Sequence, residues 1–176
     1  RVHGIQTWIA LPRAEEEREP SFAHHGAASL PRVERPGAIL TVIAGTAYGK
    51  RSPVDVFSPT LYVDAQLTDG AAIEVPDEHQ QRACYVAQGR IEIDDEAYDE
   101  GQFVVLAADA GPVRVRALQA SRVMLAGGAP LDGPRHIYWN FVSSTRERIE
   151  AASRDWREHR FAPVPGDAER IPLPDE

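Results

Sequence analysis

The chain has 176 residues, 43% of them hydrophobic, and a net charge of −8. This composition is enough for one buried domain with appendages. The negative charge, with no Lys/Arg block to offset it, argues against direct binding to nucleic acid. No run of about 18 apolar residues occurs, so no membrane span is expected. A single cysteine, Cys84, excludes an internal disulfide, and with no signal-peptide pattern this predicts a cytoplasmic protein.

Residues 1–12, RVHGIQTWIALP, alternate only approximately, yet the pattern places them in or beside a β-strand. A strand with nothing before it to pair with favours a remnant of an upstream domain, and the alternative is the edge strand of a complete domain. Residues 13–36 are polar and acidic, with several turn signals and no sustained period. Because so long a loop is unusual inside a compact domain, this stretch is interpreted as an inter-domain connector.

From Ala38 onward the sequence consists of short β-rich runs separated by turn signals, such as the hairpin turn predicted at Asp94-Asp95-Glu96. Residues 60–67 alternate, with apolar side chains at 61, 63, 65 and 67 on one face. At least seven such runs predict an all-β sandwich or barrel over residues 37–130. The runs are AILTVIAGTAYG, SPTLYVDAQLT, AAIEV, ACYVAQGRIEI, QFVVLAA, VRVRAL and SRVMLAGG.

One α-helix is predicted near the end, in SSTRERIEAASRDWREHRF. Ser144 followed by Glu147 has the spacing of a capping box, and Ile149, Ala152 and Trp156 then recur at helical spacing on one face. The proline-rich residues after it, APVPGDAERIPLPDE, are predicted to form an extended tail.

Residues 70–89, GAAIEVPDEHQQRACYVAQG, raise the question of a metal site, since a histidine and several acids lie between two glycines. Their length and glycine placement resemble the first cupin motif, in which two histidines and a glutamate follow the first glycine at fixed spacing. On this frame the ligand positions fall on Pro76, Glu78 and Arg82. In the second cupin motif a histidine follows a glycine, and counting from Gly101 places it at Val104.

The residues at these four positions do not form a ligand set. A cupin metal needs converging imidazole and carboxylate groups, whereas proline offers no donor, arginine repels a cation and valine is inert. Glu78 alone is not a site, and His79 on a strand would point to the opposite face. We therefore expect no metal and no catalytic residue here. Pro76, Glu78, Arg82 and Val104 should line one end of the barrel interior, and Glu78, His79 and Arg82 should form a solvated or ion-paired mouth.

Four segments together resemble bacterial pirin-like proteins over nearly the whole chain: HGIQTWIALP, RSPVDVFSPTLYVDAQL, HIYWNFVSSTRERIEAASRDW and IPLP. The resemblance implies a bicupin, with two β-barrels in one polypeptide, of which this chain supplies the C-terminal one. It also implies that iron is held in the N-terminal barrel by three histidines and a glutamate. Those ligands lie upstream of the HGIQTW segment, so none falls on this chain and no cofactor is expected in it.

The resemblance also assigns the domains. Residues 1–12 would be a residual strand of the N-terminal cupin barrel, 13–36 the connector, and 37–130 the C-terminal cupin barrel, a double-stranded β-helix or jelly roll. Residues 131–176 would be the terminal helix and tail packing back toward the N-terminal barrel. Apolar faces that include Trp8, Ile149 and Trp156 would then need a cover. The expected partner is the N-terminal barrel or a second copy of the chain.

Other residues receive simpler interpretations. The adjacent His24 and His25 point apart on an extended segment and are interpreted as surface or inter-barrel contacts. Cys84, within a predicted strand, is interpreted as buried packing and not as a reactive thiol. The segment from Trp139 to Phe141 is interpreted as an anchor for the terminal residues.

Three functions remain open on the sequence. The parent protein could be an iron-dependent quercetin 2,3-dioxygenase-type oxygenase, of which this chain would be the non-catalytic C-terminal half, inactive alone. It could instead be a metal-dependent regulatory pirin that binds a protein partner as a transcription or metabolic cofactor. The third possibility is a purely structural barrel, because the cupin fold hosts many functions.

Overall fold

The structure is a computed structural model that describes residues 4–163, Gly166, Glu169 and residues 171–174. It divides into two compact units, one formed by Glu19–Pro130 and the other by Arg1–Arg18 with Leu131–Glu176. Among the described residues, no helix has the length and apolar character needed to cross a membrane.

The unit Glu19–Pro130 contains eleven strands, and all the β-rich runs predicted from the sequence are among them. Residues 13–36, predicted to be a connector, also contain β1, because Val33 is buried in the core and four residues pair with β2. The strands are β1 (Arg32–Arg35), β2 (Ala38–Ala47), β3 (Lys50–Arg51), β4 (Thr60–Leu67), β5 (Ala72–Val75), β6 (Gln81–Gln88), β7 (Arg90–Ile93), β8 (Glu96–Asp99), β9 (Phe103–Leu106), β10 (Val113–Ala117) and β11 (Ser121–Gly128).

These strands form two antiparallel sheets, one in the order β1-β2-β4-β11-β6-β9 with β3 paired to β2, the other in the order β5-β10-β7-β8. The core draws buried side chains from both sheets. Leu61, Val63, Ala65 and Leu67 of β4 are all buried, as their alternation predicts. Asp94 and Asp95 have positive φ and join β7 to β8, which confirms the predicted hairpin turn. The architecture is the all-β cupin barrel expected from the sequence.

Two cross-strand rows define the ends of the larger sheet. At one end Gly45, Leu61, Gly127 and Arg82 are consecutive partners across β2, β4, β11 and β6. At the other end Gln88 of β6 lies opposite Arg122 of β11. Six residues along β6 separate Arg82 from Gln88, roughly 20 Å at the usual strand rise. We call the first end the Arg82 end.

The second unit contains the hairpin of β12 (His136–Tyr138) and β13 (Phe141–Ser143), followed by α1 (Arg146–Arg157). Trp139 in the hairpin turn lies 5.0 Å from Trp156 of α1 and 5.5 Å from Phe141, measured between ring centroids. Phe161 lies 5.5 Å from Trp156 and 5.9 Å from Phe141. The predicted anchoring role of Trp139 and Phe141 is confirmed. Trp156 is part of the apolar face of α1 that was expected to need a cover from outside. It is covered within its own unit by Trp139 and Phe161.

The start of α1 differs from the prediction. The N-cap is Thr145, whose side chain accepts a hydrogen bond from the Arg148 N–H at 3.3 Å. Ser144 instead donates its hydroxyl and its backbone N–H to Glu16, at 2.8 and 3.1 Å. The predicted Ser144–Glu147 capping box is therefore wrong, because a carboxylate distant in sequence competes for Ser144.

No strand is formed by the described residues 4–12, so the strand expected there is absent from this part of the chain. Trp8 is 54% exposed in this segment. The described residues of the tail lie in no helix or strand, in agreement with the extended tail. The tail residues 164, 165, 167, 168, 170, 175 and 176, and residues 1–3, lie outside the described part. The assignment of residues 1–12 and 131–176 to a preceding barrel stays a prediction.

Candidate functional site at the Arg82 end of the barrel

Arg82 is the side chain that distinguishes this end of the barrel. It alternates along β6 with the core residues Cys84 and Val86, so all three project from the same face of the strand into the interior. Arg82 is 2% exposed. A charged side chain this deeply buried needs partners, because an isolated charge is costly to remove from water.

The partners of the Arg82 guanidinium are backbone carbonyls. One terminal nitrogen, Nη1, donates to the carbonyl oxygens of Pro76 at 3.2 Å and Gly111 at 3.0 Å. The other, Nη2, donates to the carbonyl oxygens of Ala110 and, at 3.5 Å, Ala107. No ion pair involves Arg82 within the described part of the chain, and its Nε has no hydrogen-bond partner. The prediction of a solvated or ion-paired arginine is therefore wrong.

His79 also differs from the prediction. His79 lies in a bend at residues 77–80 and not on a strand. The alternation of side chains along a strand therefore does not determine which way His79 points relative to Glu78. Its ring is buried, with Nε2 3.0 Å from the carbonyl oxygen of Thr46. A solvated His79 is therefore also wrong. Glu78 beside it is exposed, as expected for a residue at the mouth.

The other two positions on the cupin frame are apolar. Pro76 is half-buried and contributes only its carbonyl oxygen to Arg82. Val104 of β9 is partly buried against the core and lies opposite Cys84 in the strand register. Of the four frame positions, Arg82, Pro76 and Val104 are at least partly buried at this end, whereas Glu78 is exposed to solvent.

Two further titratable groups lie in this region. Cys84 is fully buried, and burial raises the pKa of its thiol to about 12, with the Arg82 charge opposing the change. The thiol is thus neutral near neutral pH, so it is neither an activated nucleophile nor a thiolate ligand, as its interpretation as packing predicts. Tyr48 packs against the core and donates its hydroxyl to the Glu74 carbonyl at 2.7 Å. Burial raises the pKa of Tyr48 as well.

These residues do not fit a transition metal. No group of three His, Cys, Asp or Glu side chains in the described residues is arranged to hold a metal ion. A cupin metal needs imidazole and carboxylate ligands, whereas this end holds a permanently charged guanidinium. His24 and His25 lie in an extended segment outside any strand and join no such group.

Sequence reasoning located Arg82 but missed what it binds. The carbonyls of Ala107, Ala110 and Gly111 belong to the loop between β9 and β10. Only the turn signal Ala108-Asp109-Ala110-Gly111 marked this loop in the sequence. Every residue has a carbonyl, so no residue pattern identifies the ones that converge on a buried cation.

A cavity of about 450 Å³ lies on the smaller sheet, with Glu92, Arg114 and Arg116 in its wall. Two other cavities lie along the larger sheet. One of about 650 Å³ is at the opposite end from Arg82, where its lining includes Gln66, Gln88 and Arg122. The other, of about 290 Å³, lies between the end of β2 and the loop that precedes β4, with Arg51 and Ser52 in its wall. Neither cavity is lined by Arg82 or by the other cupin-frame positions.

Two antiparallel sheets that enclose one hydrophobic core define an all-β barrel of the cupin class. Residues 62–162 match the Pirin C-terminal cupin domain, and the chain belongs to the pirin family. A pirin-like protein of Caulobacter vibrioides is 46% identical over 177 residues, which cover 99% of this chain and 61% of that protein.

Two further relatives carry an enzyme name. A putative quercetin 2,3-dioxygenase of Pseudomonas aeruginosa is 32% identical, over 89% of this chain and 56% of that protein. The crystal structure of quercetin 2,3-dioxygenase from Acinetobacter baumannii superposes with a TM-score of 0.86 at 29% identity, and the match covers 95% of this chain and 56% of that one. The chain thus spans little more than half the length of these relatives.

Proposed function

We propose that this chain is the non-metal-binding cupin half of a bicupin, pirin-like protein whose full-length form is an iron-dependent oxygenase of the quercetin 2,3-dioxygenase type. The observation that carries the proposal is the buried Arg82 guanidinium, because Arg82 is one of the positions that the cupin frame of residues 70–89 assigns to a metal ligand. The names of the Pseudomonas and Acinetobacter relatives support the reaction class. Iron and the flavonol site would lie in the part of the longer protein that this chain does not cover.

The location and partners of the chain belong to the same proposal. A cytoplasmic location is part of the proposal, and the single cysteine, which is a fully buried free thiol, is consistent with it. The proposed partner is the N-terminal cupin barrel or a second copy of the chain, because Trp8 and Ile9 each expose 54% of their surface. Neither nucleic acid nor a membrane surface is proposed as a partner.

The proposal is tested on the purified chain supplied with Fe(II). We expect iron well below one equivalent after desalting, and no oxygen uptake with quercetin above that of buffer. The Acinetobacter enzyme assayed in parallel shows that the assay detects turnover. Stoichiometric iron with quercetin-dependent oxygen uptake by this chain alone would contradict the proposal.

The same two measurements on a full-length protein that contains this chain separate the oxygenase from the regulatory alternative. Iron together with oxygen uptake is expected for the oxygenase. Iron without oxygen uptake would favour a regulatory pirin that acts through a protein partner.

A further inference from the structure

The carbonyl oxygens around Arg82 converge from two separate segments of the barrel unit. Pro76 follows β5, whereas Ala107, Ala110 and Gly111 belong to the loop between β9 and β10. One of the four, the Ala107 carbonyl, also accepts a turn hydrogen bond from the Ala110 N–H at 3.2 Å. Converging carbonyl oxygens are the ligand set that proteins use for hard cations.

The occupant of this set of oxygens is positively charged and comes from the chain itself. Arg82 is 2% exposed and meets no carboxylate in the described part of the structure, so the carbonyl dipoles supply the compensation for its charge. A guanidinium is planar and presents several N–H groups in a fixed fork, so one group can bridge oxygens from two loops. An ammonium group has no such fork.

We infer that the carbonyls of Pro76, Ala107, Ala110 and Gly111 form a cation-binding cage, which Arg82 fills from within and which accepts a free guanidinium ion when the side chain is shortened. The ligand class is a planar organic cation, because the four oxygens accept from the two terminal nitrogens of one planar guanidinium. Four neutral carbonyl oxygens do not suit a transition metal. By bridging the segment after β5 and the β9–β10 loop, the occupied cage closes the Arg82 end of the barrel. The inference concerns this barrel alone and does not depend on the reaction of the longer protein.

The test is chemical rescue of Arg82→Ala, with thermal unfolding as the readout. The substitution leaves a void and unpaired carbonyls, so we expect the unfolding temperature to fall by about 10 °C, as for a core cavity lined by unsatisfied hydrogen-bond acceptors. Low-millimolar methylguanidinium chloride should restore part of this loss, because a ligand that binds the folded state raises its stability. Sodium chloride and urea at the same concentrations should not.

Arg114→Ala is the matched control. Arg114 is an exposed arginine on β10, and its variant should unfold close to wild type and respond alike to all three solutes. Arg82→Lys should be less stable than wild type, since it keeps a charge but lacks the fork. If Arg82→Ala does not fold, the same additions are made during refolding, and a higher yield with methylguanidinium alone is expected.

Two outcomes would overturn the inference. One is that sodium chloride or urea raises the unfolding temperature of Arg82→Ala as much as methylguanidinium does, since the cage would then have no preference for the guanidinium ion. The other is Arg82→Met at least as stable as wild type, because an apolar side chain of similar length cannot bond the carbonyls. The stability of the barrel would then depend on filling the volume at this position and not on hydrogen bonds to the carbonyls.

Discussion

Single residues control how closely the strands approach at the Arg82 end. Gly45 has a φ of +74°, and a Cβ built there would overlap the carbonyl oxygen of Thr60 in the neighbouring strand. Gly49, four residues later in the turn between β2 and β3, has a similar φ of +69° but has open space around it. Gly45 and Gly49 share the strained positive φ, but only at Gly45 would a Cβ overlap a neighbouring atom. Comparing substitutions at the two positions therefore separates the cost of backbone strain from the cost of steric overlap.

We expect Gly45→Ala to lower the free energy of unfolding by about 3 kcal/mol or more, because strain and overlap act together. Gly49→Ala should cost about 1 kcal/mol, the penalty of the left-handed region alone. Urea unfolding followed by circular dichroism measures both. Equal losses in the two variants would show that the Thr60 backbone moves aside at little cost.

Among secondary-structure elements, α1 depends on a carboxylate from the N-terminal segment. Glu16 accepts two hydrogen bonds from Ser144 and lies 2.7 Å from Arg135 Nε, measured to Oε1. Burial alone would raise the pKa of Glu16, but the hydrogen bonds from Ser144 and the Arg135 charge outweigh it and lower the pKa. The charged form of Glu16 is therefore the one that stabilises this unit.

Because the folded pKa of Glu16 is below its unfolded value, its contribution is fully present above about pH 4.5 and is lost as the pH falls through the folded pKa. We expect Glu16→Gln to lower the free energy of unfolding at pH 7 by about 2 kcal/mol, the scale of hydrogen bonds to a charged group. The difference from wild type should shrink below pH 4.5.

The control for this prediction is Glu150→Gln, since Glu150 is an exposed carboxylate on the same helix. Urea unfolding at several pH values, followed by tryptophan fluorescence, measures both variants. A Glu16→Gln difference that is constant with pH would show that the carboxylate charge is not what stabilises the contact.

At the scale of the whole molecule, the two units carry separate natural probes. All three tryptophans, Trp8, Trp139 and Trp156, lie in the unit of Arg1–Arg18 with Leu131–Glu176. The single cysteine, Cys84, is fully buried in the other unit. The first unit buries Ala152 and Leu173 among its described hydrophobic residues, whereas the barrel unit holds the large core cluster. Since buried apolar area is the main stabilising term, the barrel unit should be the more stable one.

We therefore expect tryptophan fluorescence to change at a lower urea concentration than the reaction of Cys84 with a thiol reagent. Cys84→Ser provides the blank for the labelling reaction. Coincident transitions by the two probes would show instead that the chain unfolds as one cooperative body.

Much of the barrel could be predicted from the sequence because the signals that mark a strand, side-chain alternation and flanking turn residues, lie within a few neighbouring residues. The alternation of residues 60–67 predicted the buried face of β4, and the glycines at 70 and 89 framed the region that holds Arg82. β1 was not predicted because three of its four residues are charged and Val33 alone is apolar. Only the pairing with β2 identifies these residues as a strand.

The sequence by itself determined the β-rich runs of the barrel, the position of the helix and the resemblance to pirins. Only the tertiary structure decided that Ser144 bonds Glu16 and leaves the N-cap to Thr145. It likewise decided that Arg82 is buried among carbonyls of two loops and not solvated. The physical reason is common to both cases. Each depends on a partner distant in the chain, and for Arg82 that partner is backbone, which every residue has and no sequence pattern marks.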